Sequence, residues 1–220
     1  MLELDAHFFK TWRESWRTHP DGRRKEERIR QLEDLVKNNI LKDGLKSHKE
    51  VLAEVVKWKY GKRGQGMAVA QRENFMRNDE DKVREVTQEV LDSLKADPGK
   101  VFDCIGLLID KLVGAGIPVA SAFLRFLDPV NHRYGVIDRN VAEFLNVRGF
   151  TDFEFSKKGF IRRNSNRNLW EYQKYHDWLQ KKAKELEGVT HTDIDGKQQP
   201  FRAVDIERAI FLSIQESKKQ

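Results

Sequence analysis

Only one cysteine, Cys104, occurs in the 220 residues. An intrachain disulfide is therefore excluded, as is a four-cysteine iron–sulfur cluster, and a reducing compartment suits such a chain. Cys104 precedes the apolar run Ile105-Gly-Leu-Leu-Ile109 and reads as a small buried hydrophobe. No run approaches 18 apolar residues, so no membrane span is expected. The first residues, MLELDAHFFKTWRESW, carry acids and lack the apolar stretch of a signal peptide. The expected location is the cytoplasm, or a nucleoid-associated pool within it. Internal repeats and low-complexity tracts are missing. The segment Lys59-Tyr-Gly-Lys-Arg-Gly-Gln-Gly66 concentrates glycines and cations, but no Gly-Lys-Ser/Thr ends it, so it is not a Walker A loop. His191-Thr-Asp193-Ile-Asp195-Gly lacks the third acidic position of a calcium loop and reads as a polar loop. No metal site is expected.

What is present is charge and helical periodicity. Lys and Arg number 41 against 35 Asp and Glu, a net +6. A basic surface favours polyanions by releasing their counterions, although an excess this small is weak evidence alone. Five Trp and 13 Phe can build a core. Apolar residues recur at helical spacing in residues 4–17, through Phe8, Phe9, Trp12 and Trp16. A second helix should begin at Asp21, bury Ile29, Leu32, Leu35 and Val36, and carry Arg23, Arg24, Lys25, Arg28 and Arg30 on a solvated face. Ser47 with Glu50 forms a capping-box pattern ahead of Val51, Leu52, Val55, Val56 and Trp58. Trp58 reads as a core residue. Two helices are expected over 67–96, divided around Asn78-Asp79, and the most apolar helix over 101–112. Further helices should span 167–186, with Tyr172, Tyr175 and His176 facing core or groove, and 203–216. Thr151-Asp-Phe-Glu-Phe155 fits a short strand or a loop equally. About ten helices and almost no sheet make the fold class all-α. One domain, 1–220, accommodates this, with an N-terminal segment over 1–50, a helical core over 51–150 and a C-terminal segment over 151–220.

The informative stretch is Asp110 to Leu127, DKLVGAGIPVASAFLRFL. An apolar helix reaches Leu112-Val113, Gly114-Ala115-Gly116 turns the chain, and a second helix starts with Pro118 in its first turn, where proline is tolerated. Ala120, Ser121 and Ala122 allow close packing. The glycines permit a tight turn and the approach of another backbone. The amides at the new helix N-terminus suit a phosphate. An ordinary helical hairpin would look the same over these residues alone.

Beyond the second helix comes Val136-Ile-Asp138-Arg-Asn-Val141. Together, 111–145 resembles the helix-hairpin-helix DNA glycosylase superfamily (HhH-GPD), with its Leu-x-Gly-x-Gly hairpin, a small-residue second helix and a catalytic Asp in a Val-Asp-x-x-Val setting. Phe201-Arg-Ala-Val-Asp-Ile-Glu-Arg-Ala209, with the Trp58-Lys59 helix, is similar to a divergent branch near the 8-oxoguanine glycosylases. The resemblance implies two helical subdomains with a cleft between them. It implies that Leu112, Gly114 and Gly116 hold a phosphate of double-stranded DNA through backbone, with a monovalent cation at the hairpin carbonyls as the sole candidate cofactor. It implies that Asp138 is catalytic. The basic segment adds Lys59, Lys62 and Arg63 as DNA contacts. The protein is expected to act as a monomer.

The chemistry of Asp138 is intelligible by itself. Breaking an N-glycosidic bond builds positive charge on the sugar, and a nearby carboxylate stabilises that charge and orients water. The target base must first leave the stack. Asp is equally a preferred helix N-cap, and the two roles are compatible. One departure from the family stands out: bifunctional members carry a lysine where this chain has Pro118. Proline cannot form a Schiff base. Hydrolysis without strand cleavage is therefore expected, unless Lys111 or another lysine substitutes. The alternative is a DNA-binding protein of this fold that has lost its chemistry.

Overall fold

The computed structural model describes residues 4–19, 22–61, 65–163 and 165–217. Asp5 accepts the Phe8 amide at 2.8 Å and caps α1 (Ala6–Thr18), which turns Phe8, Phe9 and Trp16 inward. The expected cap of α2 (Gly22–Val36), Asp21, lies outside the described residues. α2 runs into one π-helical turn, Lys37–Leu41. Ser47 and Glu50 form the complete capping box of α3 (His48–Tyr60). Lys59 and Tyr60 thus belong to a helix, and Lys62 and Arg63 lie outside the described residues. α4 (Gln65–Met76) and α5 (Glu80–Ala96) part at Asn78, with Asp79 capping α5 through the Lys82 amide. There follow α6 (Val101–Lys111), α7 (Ile117–Leu127), α8 (Arg139–Val147), α9 (Asn166–Glu185) and α10 (Ala203–Ser217). The protein is all-α in architecture.

Two segments go beyond what the sequence pattern specifies. Residues 151–163 form a loop, with Phe155 and Ile161 meeting in a single bridge. The polar loop at 191–196 is the tip of an antiparallel hairpin, β1 (Thr190–Thr192) and β2 (Gln198–Pro200). Its physical reason is His191, which is fully buried against Phe201 and lies 3.5 Å from Asp205 of α10, while β1 packs on α1. At the tip, the Asp193 carboxylate accepts the amides of Asp195 and Lys197, each at 2.9 Å, an Asx-type closure of the loop.

α3 and α7 form the centre. α3 packs on α4, α5 and α7, while α6 packs on α5, α7 and α9, and α1 closes against α10. Phe9, Leu52, Phe75, Leu108, Phe123, Phe126, Tyr172 and Tyr175 are fully buried. Each such side chain contributes about 1.5–3 kcal/mol relative to exposure. Cys104 is buried among them, and burial pushes its thiol up to about 11, so it is inert packing. Ala120, Ser121 and Ala122 of α7 are wholly enclosed, which explains why small residues stand there. No helix among the described residues is long and apolar enough to cross a membrane.

Candidate active site

The hairpin forms as the sequence implies. Gly114 has φ +82°, and a Cβ there would meet the Asn74 side chain at 3.3 Å and the Phe75 backbone, so turn and packing both favour glycine. Gly116 is the N-cap of α7, with no side-chain cap; Ile117 is fully buried, Pro118 carries no N–H and the Val119 amide bonds the Gly116 carbonyl at 2.9 Å, so the start of the helix meets a ligand through the half-buried backbone of Gly116. Leu112 is buried, so its side chain belongs to the core and only its backbone faces the turn. The turn is held by Asn78, a residue that in the sequence marks only a helix break. Asn78 accepts the Val113 amide at 2.7 Å and donates to the Val113 carbonyl at 3.0 Å, mimicking a paired strand. Its Nδ2 also donates to the Phe75 carbonyl at 2.7 Å.

The resemblance assigns a monovalent cation to the hairpin carbonyls, and the donor set argues otherwise. Arg163 donates through Nη2 to the Ile109 carbonyl at 2.7 Å and to the Leu112 carbonyl at 3.2 Å. The Ala115 amide also donates to Leu112. A guanidinium already supplies positive charge at this point, and the residues present do not fit a second cation there.

α7 links this turn to Asp138. Ser121 donates to the Pro118 carbonyl at 3.1 Å and accepts the Ile137 amide at 3.2 Å. The extended chain before Asp138 is pinned from other sides as well. Tyr172 of α9 donates to the Gly135 carbonyl at 3.0 Å, and Lys59 of α3 donates through Nζ to the Ile137 carbonyl at 3.3 Å. Asp138 itself caps α8, accepting the Val141 amide at 3.0 Å. Its side chain is half-buried, and it opens onto a pocket of about 240 Å³.

That pocket gathers residues from both ends of the chain. Trp16, Trp58, Phe126 and Phe211 give it aromatic walls, with Trp58 and Phe126 edge to face at 5.1 Å. Lys25, Arg28, Lys59, Arg125 and Arg208 line it with positive charge, and Asp138 and Glu207 are its acids. Behind the wall, Arg208 pairs with Glu26 at 2.7 Å, and Trp16 donates to Glu26 at 3.1 Å. Arg125 pairs with Glu33. Arg13 and Arg202 reach the enclosed carboxylate of Asp205 at 3.2 and 2.8 Å. Ion pairs of this kind fix orientation more than they add net stability.

The sequence-expected residues therefore divide. Asp138 and Lys59 share the pocket, Leu112, Gly114 and Gly116 share the turn, and Lys62 and Arg63 fall outside the described residues. Among the basic residues expected on the solvated face of α2, Lys25 and Arg28 line the pocket, whereas Arg30 pairs with Asp195 at 2.6 Å. Sequence reasoning misses Asn78, Arg163 and Glu207. Only Glu207 has a signal, since it lies in the 201–209 segment that carries the finer resemblance.

A family model described as "Putative 8-oxoguanine DNA glycosylase OGG-like protein" matches residues 3–211. The chain belongs to this family. No curated protein and no solved structure matches it. Membership points to DNA as the partner of this OGG-like chain and to DNA repair as its setting, and the match extends well beyond the hairpin segment to include the Trp58-Lys59 helix and α10 as far as Phe211.

Proposed function

We propose that this chain is a monomeric DNA N-glycosylase that hydrolyses the bond between sugar and base in double-stranded DNA and leaves the strand intact. The observation that carries the reading is the position of Asp138, at the junction of an aromatic, cation-lined pocket and the hairpin helix. A flipped base stacks against the half-buried ring of Trp58, which Phe126 backs edge to face, while its sugar stays at the mouth beside Asp138. The carboxylate stabilises the oxocarbenium and receives the proton of the attacking water. The half-buried turn backbone at Gly114 and Gly116 takes a backbone phosphate, and Lys25 and Arg28 extend the positive rim. The family description names 8-oxoguanine, which makes that lesion the first to assay, beside uracil, hypoxanthine, alkylated purines and mismatches.

The test is Asp138→Asn. It keeps size and much of the capping but removes the charge, so base release should fall about a hundredfold or more while DNA binding survives or tightens. Full activity would reduce Asp138 to a cap. With Pro118 at the lysine position, the product should break only on alkali, and borohydride should trap no complex. A trapped complex that disappears in Lys59→Ala would overturn hydrolysis, since Lys59 shares the pocket with Asp138 whereas Lys111 ends α6 away from it. A second reading, binding without chemistry, is favoured by Pro118 alone. It predicts tight DNA binding and no base release from any of these duplexes.

A further inference from the structure

Hydrolysis needs a second proton. As the C1′–N bond breaks, its electron pair leaves with the base, and an unprotonated base is a poor leaving group. Asp138 is already committed to the sugar side, with its carboxylate accepting the Val141 amide at the start of α8. The remaining acid on the pocket wall is Glu207 of α10.

We propose that Glu207 is the general acid of the reaction, delivering its proton to the departing base while Asp138 faces the sugar. The inference rests on the glycosylase reading above and deepens it. The steps balance. The Glu207 proton goes to the base as the C1′–N bond breaks, and the base departs neutral. Water then adds to C1′ and loses its proton to the Asp138 carboxylate. Solvent exchange afterwards returns one proton to Glu207 and removes one from Asp138.

The geometry supports this division of labour. Glu207 is half-buried and, among the described residues, no hydrogen-bond donor contributes to its environment. Its charged neighbours come from several elements: Lys59 of α3, Arg125 of α7, Asp138 ahead of α8 and the adjacent Arg208. Lys25 and Arg28 of α2 stand on the same pocket. Tyr175 of α9 feels the charge of both acids. Its hydroxyl is buried without a hydrogen-bond partner and is pushed up by burial, with both Glu207 and Asp138 adding to the rise. Burial likewise pushes the Glu207 carboxyl up to about 7, Lys59 and Arg208 opposing and Asp138 assisting. Two carboxyls in one pocket with different surroundings are a recurrent sign of separate acid and base roles. An acid that titrates near the working pH is also the efficient one.

Two measurements test the proposal. The first needs no substrate. The Glu207 side-chain carboxyl, followed by carbon-13 NMR in the free protein, should titrate near pH 7 and shift to lower pH in Asp138→Asn. A midpoint in the ordinary glutamate range would overturn the acid role whatever the protein's activity. The second is single-turnover base release from the 8-oxoguanine duplex, or from whichever duplex of the screen is cleaved. Wild-type release should decline as pH rises past about 7. Glu207→Gln should lower release about a hundredfold and abolish that decline, whereas Asp138→Asn should lose release at every pH and keep the decline. An unchanged pH profile in Glu207→Gln would overturn the proposal and leave the glycosylase reading standing. No release by wild type from any duplex, with Glu207 still titrating near 7, would instead fell the glycosylase reading and the acid role with it.

Discussion

The hairpin and the pocket meet on α7, yet they are specified in opposite ways. The hairpin is backbone work. Its turn and its close packing come mainly from Gly114, Gly116 and a row of small residues that follow one another in the chain. The pocket is side-chain work, assembled from Trp16 at one end to Phe211 at the other. No local pattern can encode a wall whose residues stand so far apart in the chain. In the proposed function, one region binds what every DNA shares, and the other meets what differs between bases. Perturbing them should therefore give separable phenotypes.

The largest effect is expected behind the pocket. Asp205 is enclosed with Arg13, Arg202 and His191, so Asp205→Ala leaves buried positive charge uncompensated. Stability should fall by about 3–5 kcal/mol, measured by denaturant unfolding. The pH dependence has a definite sign. Burial would raise the Asp205 carboxyl, but His191, Arg13 and Arg202 outweigh it and hold the group well below the usual carboxylate range. The stabilisation is thus complete above the unfolded value of about 3.9 and is lost as pH falls through the lower folded value. Wild type should show this acid limb, and Asp205→Ala should show less of it. Equal stability of the two proteins at neutral pH would mean that the wall does not depend on this carboxylate.

How much the sequence reveals follows the same line. The helices are legible because their apolar stripes and caps are local, as with Ser47 and Glu50. Asp138 is legible because it stands a fixed distance beyond the hairpin. Glu207 is only a letter in a weak segment, since its meaning depends on α10 packing against α1, α8 and α9 and so lining the same pocket as Lys59 and Arg125. Lys59 reads as the start of a basic loop because the glycines after it dominate the local pattern, but α3 continues past it and carries it into the pocket. His191 and Asp193 read as loop polarity because the burial of His191 is supplied by Phe201 and Asp205. Asn78 reads as punctuation, although its side chain performs backbone pairing for a turn 35 residues away.

Asn78 gives the intermediate effect and shows where the hairpin departs from purely local specification. Asn78→Ala leaves the amide and carbonyl of Val113 without their partner, at about 1–3 kcal/mol for a buried group left unsatisfied. Partial exposure of Val113 places the cost toward the lower end. DNA affinity should fall with it, because the turn loses its shape. The single-turnover release rate at saturating protein should stay near the wild-type value. A release rate that falls as far as in Asp138→Asn would mean that hairpin and pocket act as one unit and cannot be perturbed separately.

The smallest expected change in stability, and the cleanest separation, comes from Gly116→Leu. The backbone at Gly116 is extended, with φ −99° and ψ 174°, which any residue adopts. A Cβ there would find its nearest neighbour, the Pro118 ring, at 3.9 Å. Folding should therefore be almost unaffected. The cost arises only when DNA arrives, since in the proposed function a phosphate approaches the backbone of the Gly114–Gly116 turn, where the new side chain would stand. Affinity should drop by roughly tenfold, about 1.4 kcal/mol, and equally on all sequences, because phosphate contacts carry no base information. The salt dependence should hardly change, for an amide contact releases no counterion to a protein cation. Neutralising Lys25 and Arg28 together should do the reverse, flattening the slope of log affinity against log salt by about 0.9 for each phosphate that no longer meets a cation. A Gly116→Leu protein that binds DNA like wild type would show that the turn at Gly116 faces no phosphate, and the pocket rim would then have to carry the backbone alone.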